Sequence, residues 1–251
     1  CGHRPGLAAA LVFAIHPVQS EAVNAIVGRA ELLAGGFALL AWIAHDRARS
    51  DGSVWRAVSW IAYLLACLSK EHALVLPAFL VAEDVFLNRE GALRERLIET
   101  CSGWREWAPY VCVGVGALSL RAAVVGSVFL PGSPDYIDNP LAHADPVSRA
   151  FAAVAVFAQY AGLVIAPVNL TVDYTYNQIP AVVTFYNPLF LAGFCLIAAL
   201  LSIAYRAAND EVNGLIGLGV FVLLIAWLPV SNVLFSIGTP MNERLMYLPM
   251  I

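Results

Sequence analysis

Charge is what this chain has least of. Only 13% of its 251 residues are charged and 60% are hydrophobic, and the mean hydropathy is +0.74. A soluble domain carries roughly 25% charged residues. A globule of this composition has too little polar surface to stay in water, so an ordinary cytosolic fold is excluded, as are disorder and a collagen-like chain. Cysteine is sparse too. Cys1, Cys67, Cys101, Cys112 and Cys195 are scattered without a C-x-x-C pair, which excludes a disulfide scaffold and leaves no support for a metal or redox site. The 14 basic residues are spread thinly and the net charge is -4, so nucleic acid finds no footprint. No nucleophile elbow, zinc spacing, P-loop or dinucleotide fingerprint occurs. Gly35 and Gly36 read as helix packing, not as a phosphate cradle.

What is present is a series of apolar runs. A bilayer core of about 30 Å needs roughly 20 apolar residues per helix. Windows at 7–15, 32–45, 54–69, 73–87, 107–129, 150–168, 189–205 and 214–230 qualify or come close. The expected fold is all-α, a polytopic membrane helical bundle of about seven to eight spans. Pro77, Pro167 and Pro229 interrupt run ends, which membranes tolerate where freed backbone groups face protein or a wet cavity. The chain opens on Cys1 without Met and stops at Ile251 inside an apolar run, so it reads as a fragment.

Basic residues set the orientation. Arg47, Arg49 and Arg56 share one loop, and Arg89, Arg94, Arg96 and Arg105 another, two runs later. The positive-inside rule makes that side cytosolic. Parity then puts 16–29, 69–72 and 132–148 on the exoplasmic face. The 150–168 run admits two topologies. A full span puts 169–187 and Asn242-Glu243-Arg244 in the cytosol and Arg206 outside. A re-entrant or flat-lying helix, the preferred reading, gathers every polar motif on the exoplasmic face.

An ionisable group beside a span is costly unless paired or wet, so each one is informative. His16, Glu21 and Arg29 line a polar cavity in one reading; in the plainer one Ser20 caps a helix and Glu21 sits in its first turn. Lys70-Glu71 is a phosphate-binding turn or a solvated hairpin. Arg121 lies about 21 Å along a helix from Trp107. It either snorkels to headgroups or faces inward, its planar fork matched to a lipid-linked phosphate. The 131–148 loop, with Asp135, Asp138, Asn139, Pro140, His143 and Asp145, reads as a turn-rich acidic loop. Asn169-Leu170-Thr171 is an N-glycosylation pattern if exoplasmic, with Asp173 just after it. Glu243 and Arg244 pair with each other or line the same site.

Five strings in order then resemble one family: HPVQSEAVNAIVGRAELLA at 16–34, SKEHALVLP at 69–77, LRAAVVG…P…DNP at 120–140, PVNLTVDY at 167–174 and SNVLFSIG…NERLMYLP at 231–249. Together they resemble the transmembrane and tetratricopeptide-repeat O-mannosyltransferases. Departures are small: Glu31 stands where Asp is common, and Met250 where a small residue is common. The resemblance implies a multi-span glycosyltransferase of the C-type fold in the endoplasmic reticulum membrane (facing the periplasm if bacterial). It implies a lipid-linked donor, dolichyl phosphate mannose, with no cofactor and no metal. It implies Ser or Thr hydroxyls of luminal proteins as acceptors, cadherin-type domains among them. It further implies that residues 1–251 are a partial membrane domain. The first span and the acidic luminal loop bearing the catalytic carboxylate are expected upstream of Cys1, and tetratricopeptide repeats downstream. Glu21, Glu71 and Asp173 are then assisting carboxylates, and His16, Arg29, Lys70, Arg121, Asp138, Asn139, Glu243 and Arg244 substrate-binding residues. Two other classes compete. A transporter or flippase of a lipid-linked sugar or small solute also uses broken helices and buried charge, but no inverted repeat is seen. A non-catalytic scaffold would use the same charges only to join helices.

Overall fold

The computed structural model describes residues 3–87, 91–128, 134–175, 178–180, 183–209 and 213–251. Cys1 and Arg89, named above, lie outside the described residues. Among those described, the regular structure is entirely helical: α1 His3–Ile15, α2 Ser20–Asn24, α3 Arg29–Asp51, α4 Ser53–Ser69, α5 Leu76–Leu87, α6 Leu93–Ser102, α7 Trp104–Val125, α8 Pro146–Ile165, α9 Pro188–Asn209 and α10 Gly214–Trp227, with short 3-10 turns between them. Four helices are long and apolar enough to cross a membrane: Ile26–Asp51 (which includes α3), α7, α8 and α9. A fifth candidate is the pair Arg4–Ile15 and Pro17–Asn24, bent by 55°. Two shorter apolar helices, Ser53–Ser69 and Gly214–Val230, bring no further span by length alone.

The bend has a local cause. A residue before proline is pushed out of the helical region, and His16 sits at φ -68°, ψ 126° ahead of Pro17. The chain restarts there as a 3-10 turn. Ser20 is not the cap expected of it, since it lies inside the resumed helix, and the side chain that caps this stretch is His16, which accepts from the Val18 N–H. The 150–168 run, preferred as re-entrant or flat-lying, forms an unbroken 20-residue helix without a re-entrant break, and it is long and apolar enough to span. Its start is set by Asp145, whose carboxylate accepts from the N–H groups of Val147 and Ser148.

The chain divides into two compact units. One comprises Cys1–Leu32, Gly132–Leu196 and Trp227–Ile251, the other Leu33–Pro131 and Ile197–Ala226. In the second, α4 packs along α7. Small residues make such contacts possible: Ala34, Ala38, Ala41 and Ala44 are buried on α3, and Ser59, Ala62, Ala66 and Cys67 on α4. Polar groups trapped there find partners. Ser59 Oγ donates to the Ala41 carbonyl (2.7 Å) and meets Tyr110 Oη (2.6 Å), which meets His45 Nδ1 (2.8 Å). Arg96 was placed by sequence in a charged loop. It is buried instead, and its guanidinium donates to the carbonyls of Val85 and Ala208 near the ends of α5 and α9, as a cation does at helix C-termini.

In the first unit, Leu141, Ala152, Ala155 and Val183 form a core closed by Phe151 and Phe190. The contact of α8 with the start of α9 depends on Gly193, where an added Cβ would lie 2.0 Å from the Val154 carbonyl oxygen. Gly28 is equally confined, 2.2 Å from the Ala22 oxygen, and lets the turn Ile26–Gly28 fold against α2. Gly193→Ala is therefore expected to destabilise by ~1–3 kcal/mol through overpacking, read as a lowered thermal midpoint in detergent. Gly116→Ala, whose Cβ would meet nothing within 4 Å, is expected to leave the midpoint unchanged or raised.

Candidate functional site

The strongest polar cluster lies in the first unit, where residues 223 positions apart meet. Glu21, at the start of α2, is buried. Its carboxylate accepts the Arg244 backbone N–H at 2.9 Å and the Arg244 guanidinium at 2.7 Å. The Asn242 amide, oriented so that both neighbours are satisfied, donates to the Met241 carbonyl (2.7 Å) and accepts from the second Arg244 terminal nitrogen (2.7 Å). Tyr160 on α8 holds the same turn: its hydroxyl donates to the Asn242 carbonyl (2.9 Å) and accepts from the Asn242 N–H (3.0 Å). The segment 242–246 is thus gripped from α2 and α8 together.

Glu243 faces a different partner set and is only 3% exposed. One carboxylate oxygen accepts both the Thr171 N–H and the Tyr174 hydroxyl, each at 2.7 Å. Burial, then the hydrogen bond and charge of Glu243, push the Tyr174 phenol up to about 12. His16 lines the bend between α1 and α2. Its Nε2–H donates to the Val164 carbonyl at 2.9 Å while Nδ1 accepts from Val18 (3.3 Å), a tautomer assigned from these partners.

The second unit holds its own pair. Arg121 on α7 meets Glu71 at 2.6 Å, at the mouth of a cleft of about 230 Å³. Lys70 sits beside Glu71 in extended backbone, half-buried. Glu71 thus pairs with a helix some fifty residues away in sequence, so the solvated-hairpin reading of that turn does not describe it.

The remaining residues predicted from sequence are placed separately. Arg29 is exposed at the start of α3. Asp138 is exposed in a turn, and Asp173 is exposed and accepts from Thr175 N–H (3.1 Å) and hydroxyl (3.3 Å). Asn139 is fully buried and committed to structure: Nδ2 donates to Asn232 Oδ1 (2.8 Å) and the Ile237 carbonyl (2.7 Å), and Oδ1 accepts from Leu141 (3.0 Å). Its partner Asn232 has a positive φ of 64°, which asparagine tolerates better than most residues. Sequence reasoning missed Tyr160, Tyr174, Thr171 and Asn232. Three of these lie within the family strings, so the strings were the available signal; Tyr160 is an ordinary aromatic on an apolar helix and carried none. Among the described residues no group of three or more His, Cys, Asp or Glu is placed to hold a metal ion.

Two outcomes follow from this geometry. Glu21→Ala strands the Arg244 charge and is expected to cost ~3 kcal/mol, the low end for breaking a buried pair. Glu21→Ala with Arg244→Met is expected to cost less than the sum of the single changes, read from thermal unfolding in detergent. Tyr174 binds its proton more tightly folded than unfolded. Its contribution is complete below about pH 10 and is lost as pH rises toward about 12. Tyr174→Phe is expected to flatten the fall in thermal midpoint across that window.

No protein-family model matches the chain, and no solved structure matches it. Curated proteins do. The protein O-mannosyl-transferase TMTC3 of Mus musculus is 27% identical over 273 residues, covering 98% of this chain and 29% of its own length. TMTC4 of Homo sapiens is 29% identical over 288 residues, covering 99% and 37%. The protein O-mannosyl-transferase F38B6.6 of Caenorhabditis elegans is 29% identical over 246 residues, covering 96% and 32%. The chain spans about a third of the length of these curated relatives. Over nearly its whole extent, then, this helical, apolar chain is similar to protein O-mannosyl-transferases, TMTC3 and TMTC4 among them.

Proposed function

We propose that this chain is membrane-embedded sequence of a protein O-mannosyltransferase. The reaction moves mannose from dolichyl phosphate mannose to Ser or Thr hydroxyls of luminal proteins, cadherin-like domains among them, in the endoplasmic reticulum. The fold proposed for this part is of the C-type, with about seven to eight spans. The observation that carries this reading is the similarity to protein O-mannosyl-transferases along 96–99% of the chain.

The chemistry asks for specific parts. The acceptor oxygen attacks the anomeric carbon, the bond from that carbon to the phosphate oxygen breaks, dolichyl phosphate leaves, and a carboxylate takes the hydroxyl proton. Fixed cations that meet the leaving phosphate supply the main electrostatic stabilisation. The candidate cations for that task, each unit taken by itself, are Arg29 and Arg244 in the first unit and Lys70 and Arg121 in the second. Arg244 is held by Glu21 and Asn242, which supports a preorganised cation instead of a mobile one. Glu21 is engaged by both the side chain and the backbone of Arg244, which supports a role as its orienting partner, and Glu71 is engaged by Arg121. The proton-accepting role is assigned to none of Glu21, Glu71 and Asp173. Glu243, fastened between Thr171 and Tyr174, is assigned to donor or acceptor binding.

The test uses the full-length natural protein, purified in detergent without vesicles, with labelled dolichyl phosphate mannose and a Ser/Thr acceptor. Transfer under these conditions separates an enzyme from a transporter, which needs two compartments. Glu243→Gln and Arg244→Lys, at matched expression and thermal midpoint, are expected to lower kcat/KM by roughly tenfold or more, the loss of one charge-assisted contact. Unchanged transfer in both would remove the site assignment.

A further inference from the structure

We propose that Glu71 is a built-in competitor for Arg121 that loosens the hold on a phosphate-headed lipid in the cleft between α4 and α7. The inference deepens the reading above and rests on it only for the choice of occupant. The cleft lining joins charged and apolar groups: Arg121 and Glu71 on the one hand, Leu68, Leu118, Val124 and Val125 among the other residues. Val124 is 77% exposed, and Leu68 and Val125 are also exposed. On a helix that meets the span criteria such a surface faces hydrocarbon, so the cleft opens sideways to lipid. An amphiphile with an anionic head is the chemistry that matches both kinds of group.

The ion pair itself is weak enough to exchange. The Arg121 and Glu71 side chains are 29% and 38% exposed, and a pair so wetted shifts an equilibrium by at most roughly fivefold. Arg121 Nε is committed to the Val128 carbonyl at 3.1 Å. The guanidinium therefore presents its terminal nitrogens, one of which Glu71 holds. A phosphate offers several acceptor oxygens to that planar fork and binds it bidentately. Glu71 opens a short 3-10 turn and is exposed enough to swing into water as the phosphate arrives. Glu71 so lowers by a like factor the affinity of any head that needs Arg121, and only a head that binds the fork strongly stays bound. At about 230 Å³ the space falls below the roughly 300 Å³ at which drug-sized pockets begin. It suits the head and first units of a single chain, and the proposed occupant is a single-chain phosphate lipid, not a diacyl phospholipid.

The experiment measures farnesyl phosphate binding to the purified full-length protein in neutral detergent by titration calorimetry. Glu71→Gln is expected to bind roughly two- to fivefold tighter, the release of one exposed ion pair. Arg121→Gln is expected to bind roughly tenfold weaker, and the double variant no tighter than Arg121→Gln alone. Glu71→Asp, which keeps the charge, is expected to stay near wild type, and thermal midpoints exclude misfolding. Binding by Glu71→Gln that is unchanged or weaker overturns the proposal. So does displacement of farnesyl phosphate by phosphatidylserine, or by inorganic phosphate, at equal concentration. Mannosyl transfer is scored separately. Absent transfer with the binding pattern intact sinks the enzyme reading and leaves this one, while intact transfer with Glu71→Gln binding unchanged does the reverse.

Discussion

A guanidinium and a carboxylate that leave water together must satisfy each other, and in this chain the Glu21–Arg244 pair bears that demand. Charges are few, and a bilayer offers none to lend. Glu21 binds both the side chain and the backbone of Arg244, so the pair is a tie between chain segments as well as an electrostatic contact. Around it Tyr160 and Asn242 close the remaining polar valences. Removal of one partner leaves a charge that nothing nearby can neutralise, whereas removal of both leaves an apolar gap that packing can partly fill. The first unit therefore depends on this interaction more than on any single apolar contact.

The same constraint recurs in milder form elsewhere. Arg121 finds Glu71, Arg49 finds Asp84, and Arg96 finds two helix-end carbonyls. These are not equivalent. Arg96 is buried and spent on backbone, so its role is architectural. Arg121 and Glu71 are partly wet and line a cleft, so that pair is the more loosely held of the two.

Much of the architecture was legible beforehand. The apolar windows predict nearly every long helix, because a run of that length can satisfy its backbone in lipid only as a helix. The break at His16-Pro17 was less legible: the string was noted for its charges, while the steric effect of Pro17 on His16 decides the bend. Ser20 was misread as a cap because a capping residue is recognised by its neighbours' conformation, which Pro17 had already changed. The 150–168 run was preferred as a re-entrant or flat-lying helix on a topology argument, and the structure makes it a continuous helix capped by Asp145. Asn139 was grouped with binding residues by its acidic loop, but it is buried against Asn232, ninety-three positions on, and no local pattern encodes that meeting.

Composition by itself determined that the chain is apolar and built of membrane-type helices, and the five ordered strings carried the likeness to the O-mannosyl-transferases, since both depend on residue type and order along the chain. Which carboxylate meets which arginine was decided only by the tertiary structure. Glu21 has Arg29 close by in sequence and Glu243 has Arg244 adjacent, yet Glu21 takes Arg244 and Glu243 takes Tyr174 and Thr171. The reason is geometric: an ion pair needs its two ends at about 3 Å with aligned donors, and helix packing, not sequence distance, sets that separation.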